Sequence, residues 1–506
     1  MMQRIKNTQK VAVEQQAGFF TTCLLLTIML LVYGCDNILD TAPSNSINSE
    51  NFFETTDDAM AALNGAYQPL QWPNLYNLRI WSLDMVAGNA EVGAGGGDDG
   101  LETKQMSEFI IQPDNPGVDD IWRGIWPGVA NSNFVIHQVR RMDNIESELR
   151  DRIVAEARFL RALYYFNGVR LFGGLPIVLD PTSDQLMVSR ASVDATYDQI
   201  IADLMAAEAV LPTAYSNERH HEVGRATKGA ALGLLVKVYL TMGEYSLAEE
   251  YGNQVIGLNV YDLHADFTHN FDPGHNNGVE SLFEVQYSSG SAFNQFEKRH
   301  QGFWGTEFTN PRGSGLSPWG GFGWGHVTQE FVDTFEEGDL RKTHTIWQNG
   351  DRWGNFTYAS FFSSTGYNIK KWVRGSLSVT GMDSDLNFPV LRYSDILLMM
   401  AEAVNEQGRP AEAEPYINEI RSRAGLGGIS GLTQEQMREH ILQERRIEFA
   451  FEGQWWFDLM RAGPEYAEKY FHDRGKDNFD RHKHILLPIP RTDMDLNRNM
   501  EQNPGY

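Results

Sequence analysis

Between residues 304 and 325 the chain carries Trp304, Trp319, Phe322 and Trp324, set among Pro318, Gly320, Gly321, Gly323 and Gly325. Flat apolar rings on a backbone free to bend suit stacking against the axial-hydrogen faces of sugar rings, leaving amides and carboxylates to bind the hydroxyl rim. A second set, Trp72, Tyr76 and Trp81, precedes Asn89 and the glycine-rich stretch 93–100. These eight residues are the candidate ligand contacts. The competing role for each ring is to plug its loop onto the body of the protein. Trp122 and Trp126, four apart beside a helical pattern, are assigned to the core on that ground.

Other constellations point away from catalysis. Arg445, Arg446 and Glu448, with Asp458 and Arg461 beyond, read as buried or capping ion pairs. His220-His221-Glu222 puts adjacent histidines on a loop rather than on one helical face, and the chain has no His-Glu-x-x-His, so a catalytic zinc is not expected. Asp98, Asp99 and Glu102 could offer oxygens to calcium but lack the spacing of a calcium loop. A solvated acidic turn is the expectation there, and no cofactor is assigned. A nucleophile elbow and a phosphate loop are both missing from the sequence. Paired carboxylates for glycoside hydrolysis are defined by their separation in space, so 67 Asp and Glu leave that reading open.

The elements that must position these residues are mainly helical. Apolar residues recur at helical spacing over 57–71, 129–142, 149–171, 194–211, 227–242, 245–257, 393–407, 411–424 and 434–451, while strand-like pieces are few and short, such as 281–287. Gly243, Ala248, Tyr251 and Asn253 are echoed by Gly408, Ala413, Tyr416 and Asn418, 165 residues later. A turn glycine, a small residue where two helices approach and a tyrosine filling the next layer follow the logic of a tetratricopeptide hairpin. Between the helical blocks, residues 270–385 are rich in Gly, Ser, Asn and aromatics and predict a long irregular region, held in order by its tryptophans.

Residues 1–34 read as an address. Arg4, Lys6 and Lys10 precede an apolar run from Phe19 to Tyr33, shorter than the ~20 residues that span a bilayer. Leu31-Val32-Tyr33-Gly34-Cys35 resembles a bacterial lipobox, which makes Cys35 the expected acylated first residue and 35–50 a polar tether. The only other cysteine, Cys23, leaves with the apolar run, so no disulfide staples the body. A formal charge of −25 disfavours nucleic acid as a partner.

Several blocks resemble the SusD/RagB family of starch-utilisation-type lipoproteins. They are Asn51-Phe52-Phe53 with Leu63-Asn64-Gly65-Ala66-Tyr67, Ala155 to Ala162 running to Gly173-Gly174-Leu175-Pro176, and Leu391-Arg392-Tyr393-Ser394-Asp395. Glu444 to Phe449 with Trp456-Phe457-Asp458-Leu459, and the ending Leu487-Pro488-Ile489-Pro490 with Asn503-Pro504-Gly505-Tyr506, continue the likeness in the family's order. It implies one domain over 51–506, built of four tetratricopeptide-like helical pairs with a loop-rich insertion at about 270–385. It places Trp455 and Trp456 in a structural block. It implies, further, a non-catalytic surface lipoprotein anchored in the outer membrane at Cys35, which captures oligo- or polysaccharide for a SusC-like TonB-dependent channel. A RagB-like peptide receptor and a surface glycoside hydrolase are the alternatives.

Overall fold

A computed structural model describes residues 53–93, 95, 98–181, 187–215, 222–290, 301–375 and 381–506. The predicted signal segment, Cys35, the tether, His220-His221 and part of the stretch 93–100 lie outside these residues. Helices α1 (Thr56–Tyr67), α2 (Arg79–Val86), α3 (Leu101–Ser107), α4 (Pro116–Val139), α5 (Ser147–Phe172), α6 (Val193–Glu208), α7 (Lys228–Met242) and α8 (Tyr245–Gly257) precede the loop-rich region. Helices α9 (Tyr393–Glu406), α10 (Pro410–Arg423), α11 (Gln434–Glu448), α12 (Trp455–Ala462) and α13 (Pro464–His472) follow it. Among the described residues no helix is long and apolar enough to cross a membrane.

Local chemistry sets the helix ends. Thr55 and Asp58 form a reciprocal capping box at α1, and Thr433 with Gln436 does the same at α11. The pattern predicted from Val129 begins earlier, at Pro116, because Asn115 accepts from the N–H groups of Gly117 and Val118 and proline sits at the first helical position, where it gives up no bond. Packing then runs from neighbour to neighbour: α4 on α5, α5 on α6, α6 on α7, α7 on α8, α8 on α9, and α9 on α10 and α11, with α1 against α4 and α5. The 165-residue echo marks two of the hairpins. Gly243 and Gly408 both turn the chain at φ near +78° (77° and 78°), a left-handed conformation that a side chain would strain, and Ala248 and Ala413 are both fully buried one turn later. Tyr251 stacks on Tyr239 at 5.4 Å.

The loop-rich region carries most of the strands. β1 (Ala90–Gly93), β3 (Trp324–Val327), β7 (Asn368–Ile369) and β4 (Ile346–Trp347) form an antiparallel sheet in the order β1-β3-β7-β4. β2 (Ser281–Val285), two residues shorter than predicted, pairs with β8 (Phe388–Arg392), and β5 (Arg352–Trp353) pairs with β6 (Phe356–Thr357).

A buried charge cluster fastens this region to the helices. Arg392 at the end of β8 donates to Glu280 (2.6 Å), Glu448 (2.9 Å) and Glu452 (2.8 and 3.0 Å). Arg423 of α10 reaches Glu280 and Glu448, and Arg341 reaches Asp339, Glu444 and Glu448. The predicted ion pairs of α11 and α12 are present: Arg445 binds Asp395 (2.8 Å) and Asp458 (3.0 Å) and Arg461 binds Asp458 (2.9 Å) in the interior, while buried Arg446 binds the part-exposed Glu330 (2.7 Å).

Candidate functional site

The two candidate segments, more than 200 residues apart, meet because β1 and β3 pair with Gly93 opposite Trp324. Their rings gather around Phe308, a residue the composition of the sequence did not single out. Its centroid lies 6.2 Å from Trp81, 5.9 Å from Trp304, 5.1 Å from Trp324 and 5.1 Å from Phe322. Edge-to-face contacts dominate and the Trp304 ring lies parallel to Phe308, so the cluster is a continuous aromatic column. Phe322 is half-buried at its outer end and Trp319 stacks on it at 6.1 Å and 28°. Trp319 is 37% exposed and is the outermost ring of the column.

Hydrogen bonds hold the loop that carries Trp319. Gly313 N–H donates to the Gly320 carbonyl at 2.6 Å, Gly323 N–H to the Asn310 carbonyl at 3.0 Å, and Arg312 Nε to the Phe322 carbonyl at 3.0 Å. From beneath, the fully buried Glu307 accepts Gly321 N–H on its carboxylate and Phe322 N–H on its carbonyl, both at 2.9 Å. Burial pushes the Glu307 carboxyl up, against the pull of the Gly321 amide. Gly381 lies against the Trp319 ring, where a Cβ would come within 2.8 Å of the indole.

Five of the eight predicted contacts are corrected by their surroundings. Trp324 is 4% exposed, wedged between Phe308 and the Val92–Gly100 side of the neighbouring segment. Trp304 and Trp81 are buried in the column, with Trp304 N–H on Asn77 Oδ1 (2.6 Å) and Trp81 Nε1 on the Asn77 carbonyl (3.1 Å). Tyr76 is buried against Phe388 and its hydroxyl accepts from Asn167. Asn89 is fully buried: it donates to Asp84, whose carboxyl burial pushes up to about 7, and accepts from Arg446. A ring or amide without solvent on any face has nothing to offer a ligand, so these five hold the scaffold. Trp72 is half-buried beyond α1, outside the column.

Trp122, Trp455 and Trp456 are core residues, as expected, and Trp126 is half-buried against Trp122 at 5.0 Å. Asp99 is engaged by Arg312 (3.0 Å) and Gly95 N–H, and Glu102 by Arg79 (2.9 Å), so two of the three carboxylates of the acidic turn are bonded to groups of the protein itself. Among the described residues no group of three or more His, Cys, Asp or Glu is placed to hold a metal ion. Sequence reasoning passed over Phe361, which is 81% exposed and packs on Phe362 at 4.6 Å. Two adjacent phenylalanines in a Ser/Gly run were its one available signal.

Residues 39–240 match the family described as starch-binding, associating with the outer membrane, and residues 279–506 match the SusD family. The SusD-like protein P2 of Formosa agariphila is 29% identical, with 95% of this chain and 98% of that protein covered. The starch-binding protein SusD of Bacteroides thetaiotaomicron is 25% identical over 79% of this chain and 81% of its own length. Among solved structures, a laminarin-binding SusD-like protein superposes with a TM-score of 0.77 at 26% identity, covering 90% of this chain and all of the other. Surface glycan-binding protein A of Bacteroides fluxus gives 0.76 at 25% identity, covering 89% of this chain and all of that one. With both halves of the sequence and the whole helical architecture in agreement, the chain belongs to the SusD/RagB family.

Proposed function

We propose that this protein is a surface glycan-binding lipoprotein, non-catalytic, acylated at Cys35, which captures oligo- or polysaccharide and passes it to a TonB-dependent outer-membrane channel. The observation that carries the reading is the Trp319 indole, which faces solvent at 37% exposure on a rigid aromatic backing. A sugar ring can stack on such a face without the protein first having to order it, which lowers the cost of binding. Names of relatives support the class of ligand: one binds starch, one laminarin, and others are surface glycan-binding proteins. Membrane association is supported by the description of the family that matches residues 39–240, and the anchor by the lipobox-like ending at Cys35.

Titration of the soluble domain against a panel of polysaccharides tests the reading. Trp319→Ala is expected to weaken glycan binding by ~1–3 kcal/mol, a magnitude taken from bases stacking on aromatic side chains. Clear binding to peptides with none to any glycan would remove the proposal. Release of reducing ends by the pure protein, abolished by one Asp or Glu substitution, would make it a hydrolase instead.

A further inference from the structure

A second cleft, of about 460 Å³, opens between the end of α1, the turn at Val223–Arg225 and the edge strand β2. None of its lining residues belongs to the Trp319 platform. Asn64, Gln68 and Gln71 lie at i, i+4 and i+7 as α1 passes into the one-turn 3-10 helix Gln68–Gln71, so their carboxamides share one wall. Gln286 and Gln301 stand on other walls, and Phe283 with Leu70 supplies an apolar floor.

The polar rim is fixed in place with capacity to spare. Gln71 Nε2 donates to the Gln286 carbonyl at 2.7 Å, while the Gln286 side chain is locked by Asn277 (2.8 and 2.9 Å) and Asn387 (2.9 Å). Arg225 donates to Asn64 Oδ1 at 2.8 Å and to Glu156 at 3.4 Å, and its guanidinium lies over the Tyr67 ring. Among the described residues the Gln68 side chain makes no hydrogen bond. Each carboxamide presents both a donor and an acceptor, the pairing that a hydroxyl requires, and Arg225 is answered by Glu156, which it shares with Arg152, itself paired with Glu222. The volume falls in the range that encloses a small ligand.

We infer that this cleft is a second, independent binding site for a neutral oligosaccharide, held by the carboxamide rim of Asn64, Gln68 and Gln71 over the Phe283 floor. The inference rests on the reading of the chain as a glycan binder and adds a subsite to it. Because β2 is an edge strand, an extended peptide is the occupant that the experiment must separate from a sugar.

Calorimetric titration with laminarin oligosaccharides and maltooligosaccharides of two to six units, on wild type, Trp319→Ala, Gln68→Ala and Gln68→Trp, decides the matter. Wild type is expected to show two classes of site, and Trp319→Ala to keep one. Gln68→Ala is expected to weaken that remaining class about two- to tenfold, the worth of one or two neutral hydrogen bonds, and Gln68→Trp to block it. Binding wholly lost in Trp319→Ala overturns the cleft and spares the platform. Binding that survives Trp319→Ala undiminished and falls with Gln68 overturns the platform and establishes the cleft. Heat with none of these sugars overturns the cleft, as does binding of an unstructured peptide that Gln68→Trp removes.

Discussion

Replacing Arg392 by methionine is expected to lower the free energy of unfolding by about 3–5 kcal/mol, read from urea denaturation of the purified domain. The side chain is 2% exposed and bonds to three carboxylates from two parts of the chain: Glu280 ahead of β2, and Glu448 at the end of α11 with Glu452 just beyond it. Methionine fills much of the volume but leaves those carboxylates buried with less cation to answer them. The cost of an uncompensated buried charge exceeds the worth of the pair itself, so the expected loss is larger than for any exposed ion pair of this protein. A change below 1 kcal/mol would show that water or a neighbouring arginine takes over the site.

The same cluster predicts an acid limb. Burial opposes ionisation of Glu448, yet Arg423, Arg392 and Arg341 outweigh it and hold the carboxyl well below the usual range. Glu280 is lowered in the same way, and Asp395, buried between Lys237 and Arg445, is held at about 2. Carboxyl groups depressed in the folded state contribute stability that is present above their unfolded values, near 4, and lost as pH falls toward the folded ones. Glu156, Glu284 and Glu444, which burial raises, act in the opposite sense above that range. Stability of the wild type is therefore expected to fall between about pH 4.5 and 2, and Arg392→Met to flatten that fall. Parallel curves for the two proteins would remove Arg392 as the cause.

Trp324→Ala is expected to cost about 3–5 kcal/mol of stability, while Trp319→Ala, five residues away, leaves the melting temperature nearly unchanged. Trp324 fills a closed space against Phe308, and its loss leaves a cavity in the middle of the aromatic column and next to the β1–β3 pairing. Among the described residues, Trp319 gives up a stack on Phe322 and a contact with Gly381. Thermal and urea unfolding of the two variants, measured side by side, separates a structural indole from a presented one. Equal losses would place both in the core.

The helical scaffold was legible where helices such as α4 and α11 bury one face, because such burial writes a 3.6-residue period into the sequence. The first turns of α4 lie ahead of the pattern that starts at Val129, in a stretch where Pro127 is accommodated inside the helix and Gly124 and Gly128 are buried. Helices α12 and α13, of eight and nine residues, are shorter than the 11- to 18-residue window over which a helical period is read. At the site, composition located the right region but could not sort its rings. Trp304, Trp319 and Trp324 have the same side chain and similar glycine-rich neighbours. Which one faces solvent depends on Phe308 and on a strand pairing between residues 93 and 324, and neither leaves a local trace. Asn89 shows the same limit: Asp84 lies five residues before it, but Arg446 reaches it from 357 residues away.

The bond from Gly313 to Gly320 has a further consequence. It closes residues 314–319 into a small ring at its neck, so whatever is spliced into the tip leaves the short helix Gly305–Thr309 before it and strand β3 after it where they are. Lengthening a closed loop is cheap, about 0.6 kcal/mol per doubling, whereas lengthening a strand would shift register throughout the sheet. Recognition can thus diversify at the tip as an exchangeable cassette, with the helical frame and its charge cluster inherited intact.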